Sequence, residues 1–159
     1  MAITKLDLTK AVSGTLPDGN APSGSVIQVV TATDSTQRTT TSTSFVTASN
    51  TLSVDITPSS TSSKILVIVT SAMGTPGSGA QGIATIFRDS TNLEGSSGNG
   101  LARQSQSVGA SLDMSILDSP ATTSEITYQV YIKETTSVAS LSINWSNTTG
   151  SITAIEIAG

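Results

Sequence analysis

The chain contains no cysteine and no histidine. The first absence excludes disulfides, cysteine metal sites and thiol catalysis. The second removes the commonest general base and metal ligand, and with it any Ser-His-Asp arrangement. Charge is scarce too: 11% of residues are Asp, Glu, Lys or Arg, where about 25% is usual. The net charge of −4 leaves no basic footprint for nucleic acid or an anionic membrane surface. No apolar run approaches the roughly 20 residues of a spanning helix. The N-terminus lacks the continuous apolar core of a signal peptide. Neither metal nor cofactor is expected.

What is present is short-period and polar. Ser and Thr make up about a third of the 159 residues, a balance that suits exposed strand faces and turns. In TLSVDIT (51–57), Leu52, Val54 and Ile56 share one face and Ser53 and Asp55 the other, the period of a half-buried strand. ITYQVYIK (126–133) puts Ile126, Tyr128, Val130 and Ile132 on one side, with Gln129, Tyr131 and Lys133 on the opposite one. In SLDMSILD (111–118), Leu112, Met114 and Ile116 alternate with Asp113 and Ser115. KILVIVTSA (64–72) is apolar on both faces, as a strand covered on each side would be. SVIQVVTA (25–32), IATIFRD (83–89), SLSINW (140–145) and ITAIEIA (152–158) complete about eight strands, and TQRTTTSTSFV (36–46) is a ninth candidate. Many short strands with turn signals and no helical crossovers predict an all-β fold. The expected form is an antiparallel β-sandwich, jelly-roll-like, of about eight strands. Near the N-terminus, TKLDLTKAV (4–12) could form a short helix.

Two glycine-rich connections stand out, residues 74–82 and 92–109. Connections as long as the second tend to be functional or mobile. Within the first, GSGAQG (77–82) matches G-x-G-x-x-G literally. A dinucleotide site needs that motif to open a helix, and here a strand candidate follows, so a hairpin loop is the better reading. Asp113 and Asp118, five apart, fall on opposite faces of a strand and do not form a carboxylate pair. The run SSTSSK (59–64) fits no Ser-Lys catalytic signature. The sequons at Asn144 and Asn147 read as hydrogen-bonding turn residues. Trp145, in register with Leu141 and Ile143, is expected in the core, with an aromatic exposed at a subunit contact as the minority reading. Tyr131, an aromatic on a polar face, marks a candidate subunit interface or fills a cross-strand pair.

Residues 13–24, SGTLPDGNAPSG, form a turn-rich arm that disfavours helix and regular strand. The opening MAITKLDLTKAVSGTLPDGNAPSG carries an I-x-K-L lead and a G-T-L-P-x-x-N run. It resembles the N-terminus of many tailed-bacteriophage virion proteins of the cyanophage and marine-phage type. The segments 42–71 and 128–159 are similar to a small β-domain common in such proteins, whereas residues 74–109 carry none of the likeness. Many tail fibres follow the G-T-L-P run with Gly-Gly-Thr-Gly, and this chain has APSG instead.

The resemblance implies trimeric β-sandwich domains with N-terminal segments that attach to another virion component. On that footing residues 1–24 are an anchoring arm, with Ile3, Leu6, Leu8, Leu16 and Pro17 as its contacts, and residues 25–159 are the β-domain. The expected function is a non-enzymatic virion protein, a short homotrimeric tail-fibre-like structure with its partners among other virion proteins and its own copies. Capsid decoration and carbohydrate binding are the alternatives. Gln81, Asn92, Asn99, Arg103 and Gln104, with Glu94 and Gln106, are the candidate receptor-contact residues. Amides and an Arg suit a host surface glycan by directed hydrogen bonds.

Overall fold

The structure is a computed structural model that describes residues 21–75, 81–94, 98–105, 109–136 and 140–159. The helix candidate, the arm contacts Ile3 to Pro17 and Gln106 lie outside the described residues. Among the described residues there are twelve strands: β1 (Val26–Asp34), β2 (Arg38–Thr40), β3 (Val46–Thr47), β4 (Ser53–Ile56), β5 (Lys64–Gly74), β6 (Gly82–Arg88), β7 (Thr91–Asn92), β8 (Ala102–Gln104), β9 (Ala110–Asp118), β10 (Ile126–Glu134), β11 (Leu141–Ile143) and β12 (Gly150–Ile157).

Interrupted strands share rows, so the twelve make eight. In the first sheet β1 and β2 run end to end beside β12 and β11, which flank β5, and β9 pairs the other edge of β5. In the second, β3 and β4 lie beside β10, β10 beside β6, and β7 and β8 along the far edge of β6. With the rows numbered in chain order, the sheets read 1-8-3-6 and 2-7-4-5, every neighbour antiparallel. The chain changes sheet at every connection except that between rows four and five. This is the strand order of a jelly roll.

The period-two reading places the core. Leu52, Val54 and Ile56 meet Ile65, Val67 and Val69 of β5, Leu112 and Met114 of β9, and Ile126, Tyr128, Val130 and Ile132 of β10. Each such side chain contributes about 1.5–3 kcal/mol by leaving water. The same period points Glu134 and Glu156 inward, and neither is accessible to solvent. Each survives there because donors surround it. Glu156 accepts from the Ser59 amide and hydroxyl, the Ser63 hydroxyl and the Gln28 amide at 2.6–2.7 Å. Thr136 serves Glu134 through its amide and hydroxyl, at 2.8 and 2.6 Å.

Three expectations need correction. Residues 36–46 are not one strand: Arg38–Thr40 belongs to the first sheet and Val46–Thr47 to the second. Between them the Ser42 hydroxyl donates to the Ser44 carbonyl and accepts the Ser44 amide, closing a turn that carries the chain across. The long connection after Asp89 is not only loop, since β7 and β8 form the fifth row within it. Trp145 is not a core residue. β11 ends at Ile143, and Asn144 turns left-handed (φ 52°) into an irregular turn, Trp145–Asn147, in which Ser146 and Asn147 are left-handed too (φ 58° each). The half-buried indole lies instead against Gly74 and Gly109, where a Cβ at either position would collide with it.

Candidate functional site on the outer face of the second sheet

β10 alternates its core residues with Thr127, Gln129, Tyr131 and Lys133, all turned to the outer face. Their partners on β6 are Phe87 opposite Gln129, Thr85 opposite Tyr131, and Ile83 opposite Lys133. Tyr131 and Phe87 are therefore diagonal neighbours, a spacing that aromatic rings can bridge. They stack, with ring centroids 4.1 Å apart and planes inclined by 28°. Phe45 meets Phe87 edge-on at 5.9 Å, and the Lys133 ammonium sits 4.5 Å from the Phe45 ring centre. That cation–π contact is worth about 0.5–1 kcal/mol where solvent reaches it. Phe45, Phe87, Tyr131 and Lys133 are all half-buried.

The polar residues expected from the sequence surround this group unevenly. Arg103 of β8 pairs opposite Ile83, and Gln104 opposite Gly82, beside Gln81. The exposed Arg103 guanidinium donates to the Asn99 side-chain oxygen Oδ1 at 3.1 Å. Gly100, left-handed at φ 68°, brings its backbone so near Ile83 that a Cβ would strike that side chain. Gln81 is held by its backbone: its amide donates to Glu134 at 3.3 Å and its carbonyl accepts from the Thr135 amide at 3.0 Å. Gln81, Asn99, Arg103 and Gln104 thus gather round the start of β6, but only Arg103 of the two β8 residues shares the outer face with Ile83 and Lys133. Gln104, in register with Gly82 and the inward Glu134, turns to the other side of the sheet. Asn92 lies apart from these four, at the other end of that strand, where it is directly opposite Phe87 of the aromatic group. Its side-chain oxygen accepts from the Thr85 hydroxyl (2.8 Å) and the Glu94 amide (3.1 Å), which closes a turn.

Sequence reasoning missed Phe45 and Phe87 as members of this face. The available signal was the alternation in IATIFRD, which puts Phe87 two residues from Thr85 and out of the core. Phe45 carried no such signal, because the expected strand 36–46 does not form.

A second polar cluster ties the sheets together near Asp34. The Ser49 hydroxyl donates to Asp34, which also accepts the Thr36 amide at 2.9 Å, while Arg38 approaches at 3.5 Å. Burial pushes the Asp34 carboxyl up, but the donors from Ser49, Thr36 and Thr51 and the Arg38 charge outweigh it, and its pKa falls to about 2. A hollow of about 280 Å³ opens beside it, lined by Arg38, Thr47, Ala48, Ser49 and Asn50. Ser49 next to an aspartate has the outline of an activated nucleophile. The chemistry opposes it, since a carboxylate held that low is a poor acceptor for a hydroxyl proton at neutral pH. Arg38 Nε also donates to Ser49 Oγ at 3.2 Å, which occupies a lone pair that attack would need.

The expected separation of Asp113 and Asp118 is present. Asp113 is exposed on β9, whereas Asp118 turns inward to Arg88 and Tyr128. Burial and the hydrogen bond to Asp118 push the Tyr128 phenol well above its ordinary range. The sequon residues are structural: Asn144 accepts from the Ser71 hydroxyl and donates to the Thr36 carbonyl, and Asn147 accepts the Gln37 amide.

No family model matches the chain, and no curated protein matches it in sequence. Among solved structures, it is similar to the VP2 subviral particle protein of infectious bursal disease virus, with a TM-score of 0.46 and 16% identity over 83% of this chain and 38% of that one. The Gt strain of the same virus gives a TM-score of 0.46 and 14% identity over 93% of this chain and 43% of that one. The chain spans less than half the length of either. Likenesses at this level of identity and TM-score do not extend to function.

Proposed function

We propose that the protein is a non-enzymatic structural component of a bacteriophage virion. In this reading it assembles with its own copies and is anchored by its N-terminal residues. The observation that carries the reading is the I-x-K-L and G-T-L-P-x-x-N lead, joined to a jelly-roll body whose inward carboxylates are committed to structural donors. Asp34, Asp118, Glu134 and Glu156 each accept hydrogen bonds that hold the fold. A jelly roll alone hosts many functions, so the lead is what points to the virion. The finer reading is a short homotrimeric fibre whose outer face, from Tyr131 to Arg103, meets a host surface glycan. An aromatic group rimmed by amides and a guanidinium can offer a sugar both apolar contact and directed hydrogen bonds.

Immunogold labelling of purified particles tests the reading. Label at one defined position on the particle is expected, and fibres on the tail favour the attachment role. Label spread over the capsid surface favours decoration. Particles free of the protein overturn the virion assignment.

A further inference from the structure

The first sheet has an outer face that departs from the pattern of a solvated antiparallel sheet. Such a face normally alternates apolar-in with polar-out. Here one end keeps that rule: Thr33, Ser151, Thr70 and Asp113 lie in register across the four strands. Thr70 and Ser151 hydroxyls bond at 2.9 Å, as do Thr31 and Thr153 at 3.0 Å. The other end breaks it. Val29, Ile155, Leu66 and Leu117 form one transverse row across β1, β12, β5 and β9, in mutual register. Ile68 adjoins that row in β5, and Val26 and Ile157 face each other beyond it.

Four of these side chains are largely unshielded by the described residues, while Leu66, Ile155 and Ile157 are half-buried. Val26 is 61% exposed, Val29 57%, Leu117 53% and Ile68 37%. A contiguous apolar band on a small monomer marks an interaction surface more often than chance. Tyr131 on the opposite sheet differs, because its stack on Phe87 already engages one face of its ring.

We infer that a second copy of this chain covers this band. Charge is the first argument. The molecule carries −4 overall, yet the outward charged residues on the strands of this face are one base, Lys64, and one acid, Asp113. Two like-charged copies therefore meet here with the least repulsion. Area is the second. Four strand rows at about 4.8 Å and a strand of eight residues at about 3.3 Å give the whole outer face, apolar band and hydroxyl-lined end together, roughly 500 Å². A pair of copies would bury roughly 1,000 Å², the size at which specific interfaces begin. The inference rests on the reading of the protein as a self-associating virion component, and it names the contact face.

Sedimentation velocity on the full chain tests it, with Val29→Lys and Leu117→Lys combined. Both positions are exposed, so the fold should survive; circular dichroism and the melting temperature check that. A milder pair, Val29→Thr and Leu117→Thr, keeps strand-favouring side chains should the lysines disturb folding. The unsubstituted chain is expected to sediment as a multimer at 10 µM, and the folded lysine pair as a 16.1 kDa monomer. The threonine pair should dissociate at concentrations at least tenfold above the unsubstituted chain. Tyr131→Ser should leave the multimer unchanged. A multimer that survives both pairs overturns the face while leaving the virion reading intact. A monomeric unsubstituted chain overturns the inference as well. If Leu6→Ser with Leu8→Ser then makes that monomer associate, the chain's own arm is the occupant instead.

Discussion

Arg88 of β6 reaches across the sandwich to Asp118 at the end of β9, one guanidinium nitrogen lying 2.7 and 2.9 Å from the two carboxylate oxygens. The pair closes one edge of the core, and Tyr128 adds a third hydrogen bond to Asp118 at 2.6 Å. Both partners are largely shielded, at 24% and 11% side-chain exposure. Hydrogen bonds to charged groups in such settings contribute about 1.5–3 kcal/mol. Arg88→Met leaves the carboxylate shielded without its cation, and it should lower stability by about that amount in urea unfolding. Asp118→Asn keeps a side-chain acceptor for Tyr128 and Arg88 and leaves unpaired the cation, the more exposed of the two partners, so its loss should be smaller. The reverse order would contradict this account of the clamp.

Acid should loosen the sandwich in a defined window. Asp34 has a folded pKa of about 2 against an ordinary 3.8. For Glu156, burial pushes upward, but the hydrogen bonds from Ser59, Gln28 and Ser63 outweigh it and hold the carboxyl below its ordinary value. A depressed folded pKa means the unfolded chain binds protons first. The stabilisation is present above the unfolded pKa and is lost as pH falls through the folded one. Melting temperature should therefore decline from about pH 4 toward pH 2. Asp34→Asn should lower it at neutral pH and flatten the decline, and an acid limb as steep as in the unsubstituted chain would count against Asp34.

Trp145 is the single tryptophan, and its indole rests on Gly74 of β5 and on Gly109 just before β9. A methyl at Gly74 would fall within the ring, so Gly74→Ala must displace it. The expected result is a red-shifted emission maximum and a loss of about 1–3 kcal/mol, the range for overpacking. An unshifted maximum would mean the indole does not sit on this glycine.

The sequence made the rows legible wherever one strand spans them unbroken. In β10 and β9 the period of two located every core residue, because a one-residue slip would turn the whole apolar set outward. The rows built from two short strands were harder to read. β7 and β8 contribute two and three residues, too few for a period to register, and their pairing depends on β6 lying alongside. Trp145 followed the period of Leu141 and Ile143 on paper. A left-handed Asn144, held by Ser71 and Thr36, ends that strand two residues earlier, at Ile143. The apolar outer band was half visible, since KILVIV is apolar on both faces. Its continuation through Val29, Ile155 and Leu117 required strand order, which alternation alone does not supply.

Asn92 and Arg103 look alike as polar loop residues in the sequence, and the structure separates them. Asn92 accepts from Thr85 and from the Glu94 amide, so Asn92→Ala strands a hydroxyl and opens a turn. A loss of about 1 kcal/mol is expected, on the scale of one net hydrogen bond. Arg103 is exposed, and its bond to Asn99 lies at the surface. Arg103→Ala should change stability by no more than about 0.5 kcal/mol. If the outer face of the second sheet contacts a host glycan, Arg103→Ala should reduce adsorption of particles that still carry the protein, whereas Gln104→Ala, on the other side of β8, should not. Asn92→Ala should affect it only in proportion to the folded fraction. Adsorption unchanged by Arg103→Ala would remove this face from host recognition and favour a decorating role.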